Sequence, residues 1–484
     1  MKEKTRSKGV LHRGLVAVLW AVLLILIWII AGSLLYGASY PAISPETQAA
    51  IAETSFCADE GGTAGDRVML LEKNTDALTH RLRLIDSAKE RIILSSFDFR
   101  EDYSGTDVLS SLLAASERGV QIQILVDGMP GFLKMMGRPL FLALESRDNV
   151  EIRLYNPIEM SSLLTPWKLQ CRLHDKYLII DDTACILGGR NTYDYFLGSY
   201  DSVHENCDRE VLTYCAEGNS ETIRQVEAYF DDIWNQPCSK DLNKNADEKA
   251  GSEKVQKSLA LLREHYAGLQ ETYPEAYTPY DYLSESLPAG KITLVYGSSA
   301  PEKKEPVVLE TLAQLMEGAQ DRVLLHTPYA VCDRYMNDCL RRVAGAADTT
   351  LLVNNVLGGG NLPASGDYLW LRDDILDTGV NLLEFNGGKS YHGKSIVVDD
   401  HLSVIGSFNY DMRSVYLDTE LMLVIDSEEF CRVLTAEMEK AQAQCLGIGS
   451  DDKNFDMLAG EAKLSKKLQI LLMGILAPFI RRLI

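Results

Sequence analysis

The stretch Arg172-Leu-His174-Asp-Lys176-Tyr-Leu-Ile-Ile-Asp181 is matched, 218 residues later, by His392-Gly-Lys394-Ser-Ile-Val-Val-Asp399. Both read His-x-Lys-x4-Asp. After a gap of six residues each Asp is followed by a turn of small residues ending in Asn: Gly188-Gly189-Arg190-Asn191 and Gly406-Ser407-Phe408-Asn409. The chain has 8 His. With Lys and Asp each at about 6% of ordinary composition, chance supplies about 0.03 copies of the pattern. Two copies with the same downstream Asn mark a duplicated catalytic unit.

Outward from the motifs, strand and helix alternate. Residues 91–97 and 120–126 read as buried strands, residues 76–89 and 107–118 as helices, and Tyr177-Leu-Ile-Ile180 as a strand. The rhythm restarts after residue 257, with strands at 291–296, 322–326, 349–354 and 380–385 and a helix at 333–342. GVQIQILVDG (119–128) corresponds to DTTLLVNN (348–355), and NVEIRLYN (149–156) to GVNLLEFN (379–386). The predicted class is α/β, two tandem sandwich domains facing each other. They occupy 66–235 and 258–448, joined by a polar linker or insertion at 236–257.

The ends differ from the body. Residues 14–36 form 23 positions without a charge, enough to cross a hydrocarbon core of about 30 Å. With the basic residues before them they predict an N-terminal transmembrane helix (1–39), too long for an ordinary cleaved signal. A polar spacer (40–65) follows. The basic cluster places the N-terminus in the cytoplasm and the catalytic domains on the outer face. At the other end, 461–484 sets a largely apolar run of thirteen residues between Lys466-Lys467 and Arg481-Arg482. It is read as an interfacial helix or as a core helix packed on the second domain.

The formal net charge is −21; each basic end carries +4, leaving −29 for residues 14–460. Such a body repels a polyanion, so nucleic acid is not the expected partner. Basic ends suit anionic headgroups, and a lipid bilayer with phospholipid substrates is expected instead. The ten cysteines contain no C-x2-C pair, which argues against structural zinc. His204 and His326 read as ordinary histidines, and Gly358-Gly-Gly360 as a flexible loop near the site, since no helix start is evident after it.

The paired motif carries the chemistry. His and Lys two apart on a strand share a face. An imidazole can attack or carry a proton near neutrality, and an ammonium suits an anionic oxygen. Two His (His174, His392), two Lys (Lys176, Lys394) and two Asn (Asn191, Asn409) around one anion suit a phosphodiester. One His attacks phosphorus and the other protonates the departing alcohol. The scheme needs no metal and no cofactor. A nucleophilic imidazole must be held in one tautomer. Glu420 is the candidate in the second half, and Glu210 or Asp208 in the first.

The two motifs resemble the paired HKD motifs of the phospholipase D superfamily. More narrowly, Arg172–Lys176 with ILGGRN (186–191), and His392–Lys394 with IGSFNYDMRS (405–414), resemble bacterial cardiolipin synthases. The resemblance covers roughly 67–445. It implies two phospholipase D-like domains with one shared active site, His174 as nucleophile forming a phosphohistidine, and His392 as general acid. Ser407 is then a phosphate-binding candidate, with Gly189 in its place in the first half. Asp181 and Asp399 complete the catalytic motif, with a role expected to be more structural than chemical. The implied reaction is transfer of a phosphatidyl group from phosphatidylglycerol to a second phosphatidylglycerol, or to phosphatidylethanolamine. A hydrolytic phospholipase D or another phosphodiesterase is the alternative.

Overall fold

A computed structural model describes residues 2–58, 65–200, 206–243, 250–449 and 462–481. Two twisted mixed sheets stand back to back, and their strand orders repeat. The first runs Arg67–Leu71, Glu210–Tyr214, Ala184–Gly188, Tyr177–Ile180, Arg91–Ser96, Gln121–Asp127, Val150–Tyr155 and Ser239–Asp241, with Leu287–Pro288 added at the starting edge. The second runs Lys291–Tyr296, Leu421–Asp426, Leu402–Gly406, Ser395–Val398, Arg322–His326, Asp348–Asn354, Asn381–Phe385 and Cys445–Gly447. The duplication read from the sequence is therefore structural.

Each motif occupies the middle of its sheet. The strand after each Lys pairs antiparallel with the strand that leads to Asn: Tyr177 faces Leu187, and Ser395 faces Ile405. These strands are buried along their length on both faces. That is why they read as continuous apolar runs without alternation.

Three apolar layers result. Outside the first sheet lie helices Asn74–Ser87, Tyr103–Glu117 and Pro139–Glu145, with Leu78, Leu109 and Phe141 in their core. Outside the second lie Val307–Glu317, Arg334–Ala346 and Leu362–Leu376. Between the sheets, helices Glu221–Trp234 and Glu428–Gln442 share one core with inward residues of both, including Ile179, Val211, Val397 and Leu423.

Several boundaries move. Helix Glu253–Thr272, assigned by sequence to the linker and the second half, buries Val255, Leu259, Leu262 and Leu269 in the first half's outer core. The linker is in part an edge strand, Ser239–Asp241, paired with Val150–Tyr155. A short polar strand suits a sheet edge, where one row of backbone groups meets water. Residues 244–249 of that linker lie outside the described residues, as do His204 and Arg482. The spacer after the anchor holds helix Pro45–Ala52, capped by the Ser44 hydroxyl.

The N-terminal helix runs Lys2–Tyr36, and Val16–Tyr36 is the one helix among the described residues long and apolar enough to cross a membrane. The C-terminal helix Leu464–Ile480 has two unlike sides. One side packs on Leu362–Leu376, where a Cβ on Gly366 would lie 2.6 Å from the Gly474 nitrogen, and Ile470 and Ala477 are buried. The other side exposes Leu464, Leu468, Leu472, Ile475 and Phe479.

Candidate active site

The two motifs meet at the seam between the sheets, and the pairing crosses it. His174 Nδ1 lies 2.9 Å from Glu420 Oε1, and His392 Nδ1 lies 2.7 Å from Asp208 Oδ2. Each half's imidazole is thus held by the other half's carboxylate. Backbone contacts fix the arrangement. The His174 amide donates to the Thr419 hydroxyl at 3.1 Å, the Thr419 amide donates to the Arg172 carbonyl at 2.9 Å, and the His392 amide donates to the Cys207 carbonyl at 2.6 Å. Leu173 bridges Thr419, and Ser390-Tyr391 pairs with Asn206-Cys207.

This corrects the expectation that each acid serves its own half. It also separates Asp208 from Glu210. Glu210 does not reach a histidine; it forms a buried pair with Arg81, at 2.5 and 2.7 Å. Strand register explains the choice. Gly188 pairs with Glu210, whereas Gly406 pairs with Met422. Counting two residues back from each, Asp208 is the positional equivalent of Glu420. Asp208 precedes the strand Glu210–Tyr214, whose first residue, Glu210, turns to Arg81 on helix Asn74–Ser87.

Both imidazoles are mostly buried, with side-chain exposures of 14% for His174 and 18% for His392. The edge of Phe97 meets the His174 ring at 5.7 Å between centroids, and Phe196 meets His392 at 5.0 Å. The Lys176 ammonium donates to the His174 carbonyl. Lys394 lies 2.6 Å from the His392 carbonyl and 2.8 and 3.2 Å from the Nδ1 and Nε2 of that ring.

Burial and neighbouring charge set the proton affinities. Burial, then Lys176, hold His174 well below the ordinary imidazole value; burial, then Lys394, lower His392 to about 4. Burial also lowers Lys176 to about 8 and Lys394 to about 7. Each motif's lysine acts on the other motif's histidine, so the four groups share one site. The carboxylates diverge. Against the burial that raises it, His392 and Lys394 hold Asp208 down to about 2, whereas burial raises Glu420 to about 8. The site thus holds neutral imidazoles beside lysines of lowered proton affinity, whose charged form a bound anion would favour.

Ser407 is not a phosphate ligand. Its buried hydroxyl donates to Glu420 Oε2, and the Ser414 hydroxyl donates to Oε1 at 2.5 Å. Two hydroxyls therefore fix the carboxylate that orients His174. In the first half a side chain at Gly189 would collide with the Asp208 carboxylate, which accounts for the glycine.

Asp181 and Asp399 lie at the far ends of their strands, away from the histidines, and this corrects their inclusion among the catalytic residues. Each sits in a tight hairpin turn in the left-handed region, at φ +49° and +54°. The Asp181 carboxylate accepts from the amides of Lys89, Glu90 and Arg91 at 2.9–3.0 Å. Asp399 does the same for Gln320, Asp321 and Arg322. They clamp the start of the adjacent central strand.

The two asparagines are bonded to other groups. Asn191 Oδ1 accepts from the Asp98 amide at 3.3 Å, and Asn409 Nδ2 lies 3.3 Å from the Tyr329 hydroxyl. Asn409 Oδ1 is buried without a protein partner. After Gly358–Gly360 a helix does begin, at Leu362, capped by Asn361. His326 is a core residue bonded to Tyr391 and Gln442.

Sequence reasoning missed the layer behind His174. Asp175 accepts from the Thr419 and Tyr229 hydroxyls at 2.9 and 3.0 Å. Lys304 is 5% exposed and its ammonium has no hydrogen-bond partner among the described residues, facing Asp418, Asp175 and Glu420. Its signal in the sequence is only a lysine in a loop, which ordinarily faces water.

Comparison with known proteins places this geometry. The family described as cardiolipin synthase, PLD-like domain, matches residues 82–234 and 312–441. Cardiolipin synthase C of Escherichia coli (strain K12) is 24% identical over 428 residues, covering 80% of this chain and 86% of that protein. Cardiolipin synthase A of Buchnera aphidicola is 23% identical over 389 residues, covering 78% and 70%. The crystal structure of phosphatidylserine synthase from Haemophilus influenzae Rd KW20 shares the fold, with a TM-score of 0.62, 15% identity, and coverage of 91% of this chain and 99% of that one.

Proposed function

Because the chain belongs to the cardiolipin synthase, PLD-like domain family, we propose that it is a membrane-anchored phosphatidyltransferase that forms cardiolipin from phosphatidylglycerol. The observation that carries this reading is the crossed pair of His–carboxylate contacts, which brings both histidines and their lysines to one seam.

In the first step Nε2 of His174 attacks phosphorus, while Glu420 accepts the proton of Nδ1 in a hydrogen bond that grows as the ring becomes cationic. The charge of the anionic substrate favours the imidazolium of His392, which keeps its Nδ1 proton on Asp208 and gives its Nε2 proton to the departing glycerol oxygen. Lys394, 3.2 Å from its Nε2, stands beside the proton being passed. Lys176, Lys394, Asn191 and Asn409 hold the charge on the non-bridging oxygens. In the second step His392 takes the proton of the acceptor hydroxyl, the phosphatidyl group leaves His174, and the resting state returns. The acceptor is a second phosphatidylglycerol or phosphatidylethanolamine.

The apolar helix Val16–Tyr36 supports anchoring. The exposed apolar side of Leu464–Ile480 supports contact with the same bilayer, since Phe479 and Leu34 line one cavity of about 780 Å³ beside the anchor's end. Basic residues before the anchor favour catalytic domains on the outer face.

The test is mass spectrometry of lipids after incubating the detergent-solubilised protein with phosphatidylglycerol, alone and with phosphatidylethanolamine. Cardiolipin that disappears in His174→Ala is the expected result. Phosphatidic acid alone moves the assignment to a hydrolase, and no product from either lipid overturns the lipid reading.

A further inference from the structure

The segment between strand Val150–Tyr155 and His174 is closed at its base and apolar at its tip. Asn156, in the left-handed region at φ +49°, donates through its amide to the carbonyls of Lys168 and Cys171, both at 2.9 Å, and so ties the two ends together. Arg172 then donates to the Asn156 carbonyl at 2.7 Å, and the next residues are Leu173 and His174. Beyond this base Met160 is 83% exposed, Leu164 74% and Ile158 38%. Water would not favour three large apolar side chains at one loop tip.

The loop also leans on the anchor. Trp167 meets Trp28 edge-on, 5.4 Å between ring centroids, and its ring lies so close to Gly32 that a Cβ there would overlap it. Trp28 precedes Tyr36 by eight residues, about 12 Å along a helix. Within an apolar span of Val16–Tyr36, that contact sets Trp167 at the depth of the acyl chains, on the side of the helix end that leads to the catalytic domains.

We propose that residues 157–170 form a wedge set into the bilayer beside the anchor, through which a phospholipid leaves the membrane for His174. This rests on the lipid reading above. The occupant is the bilayer itself, because the loop is continuous with the surface of the membrane-crossing helix. Apolar side chains at its tip replace acyl-chain contacts as a lipid lifts, and the pinned base delivers the headgroup to the strand that carries the nucleophile.

The experiment compares the full-length protein with its Met160→Asp/Leu164→Asp variant on phosphatidylglycerol in vesicles and on a short-chain, monomeric phosphatidylglycerol. Both side chains are exposed, so the variant keeps the fold, and the anchor keeps it in the vesicle. In parallel, a photoreactive p-benzoylphenylalanine at position 164 is irradiated in vesicles of phosphatidylglycerol. The expected result is a rate about tenfold lower on vesicles with the short-chain rate retained, and capture of lipid at position 164. Unchanged rates on both substrates, or equal losses on both, overturn the wedge. If the wild type turns over neither substrate, the phosphatidyl-transfer reading fails. The cross-link then decides alone: lipid captured upholds the wedge, and no lipid captured overturns it.

Discussion

At the scale of single residues, the site turns on which nitrogen of His174 carries a proton. In the proposed mechanism Glu420, with Ser407 and Ser414 on its oxygens, holds that proton on Nδ1 and leaves Nε2 to attack. Glu420→Gln keeps the shape but cannot become the carboxylate that would balance a cationic ring. We expect kcat to fall by about 10²- to 10⁴-fold with a much smaller change in KM, read by steady-state kinetics on phosphatidylglycerol; an equal loss in both would point to binding. The lysines give a pH signature. Burial lowers Lys394 to about 7 and Lys176 to about 8, so each loses its proton as pH rises through those values. Affinity for an uncleavable phosphonate analogue should therefore fall between pH 7 and pH 9, approaching tenfold per pH unit for each proton lost. Calorimetric titration showing a flat affinity would exclude them as the anion's partners. The histidines and lysines were legible because a strand fixes their face. The acids were not, because the choice between Asp208 and Glu210 depends on a ladder register set across the sheet. The six extra residues between Asn191 and Asp208, relative to Asn409 and Glu420, hide that register from any count along the chain.

At the scale of elements, the motif aspartates are hinges of the hairpins rather than chemistry. Asp181→Ala removes an acceptor from three amides and leaves an alanine at positive φ. The expected cost is about 2 kcal/mol of stability, seen as a lower denaturant midpoint, with kcat per folded molecule nearly unchanged. Loss of kcat without loss of stability would return Asp181 to the reaction. Buried strands such as Gln121–Asp127 were readable from apolar runs. Helix Leu362–Leu376 was not, since its buried side includes Ser365, Asp367 and Arg372 while Trp370 is exposed, which erases the apolar period. Helix Glu253–Thr272 shows its period, yet nothing local says which half its apolar stripe will join.

At the scale of the whole molecule, the crossed contacts make the two halves one enzyme. A mixture of His174→Ala and His392→Ala proteins should stay inactive, because each site is completed within one chain. Recovered activity would show that sites are shared between chains. The same crossing has a thermodynamic consequence. Each histidine faces an equivalent partner, so the second half of the proposed reaction is the first half run backwards with a different alcohol. One phosphodiester is exchanged for another and no energy-rich donor is spent, which leaves the balance near even. Direction is then set by escape: glycerol dissolves away into water while the four-chained product stays in the lipid, and supplying glycerol in excess would drive the exchange the other way.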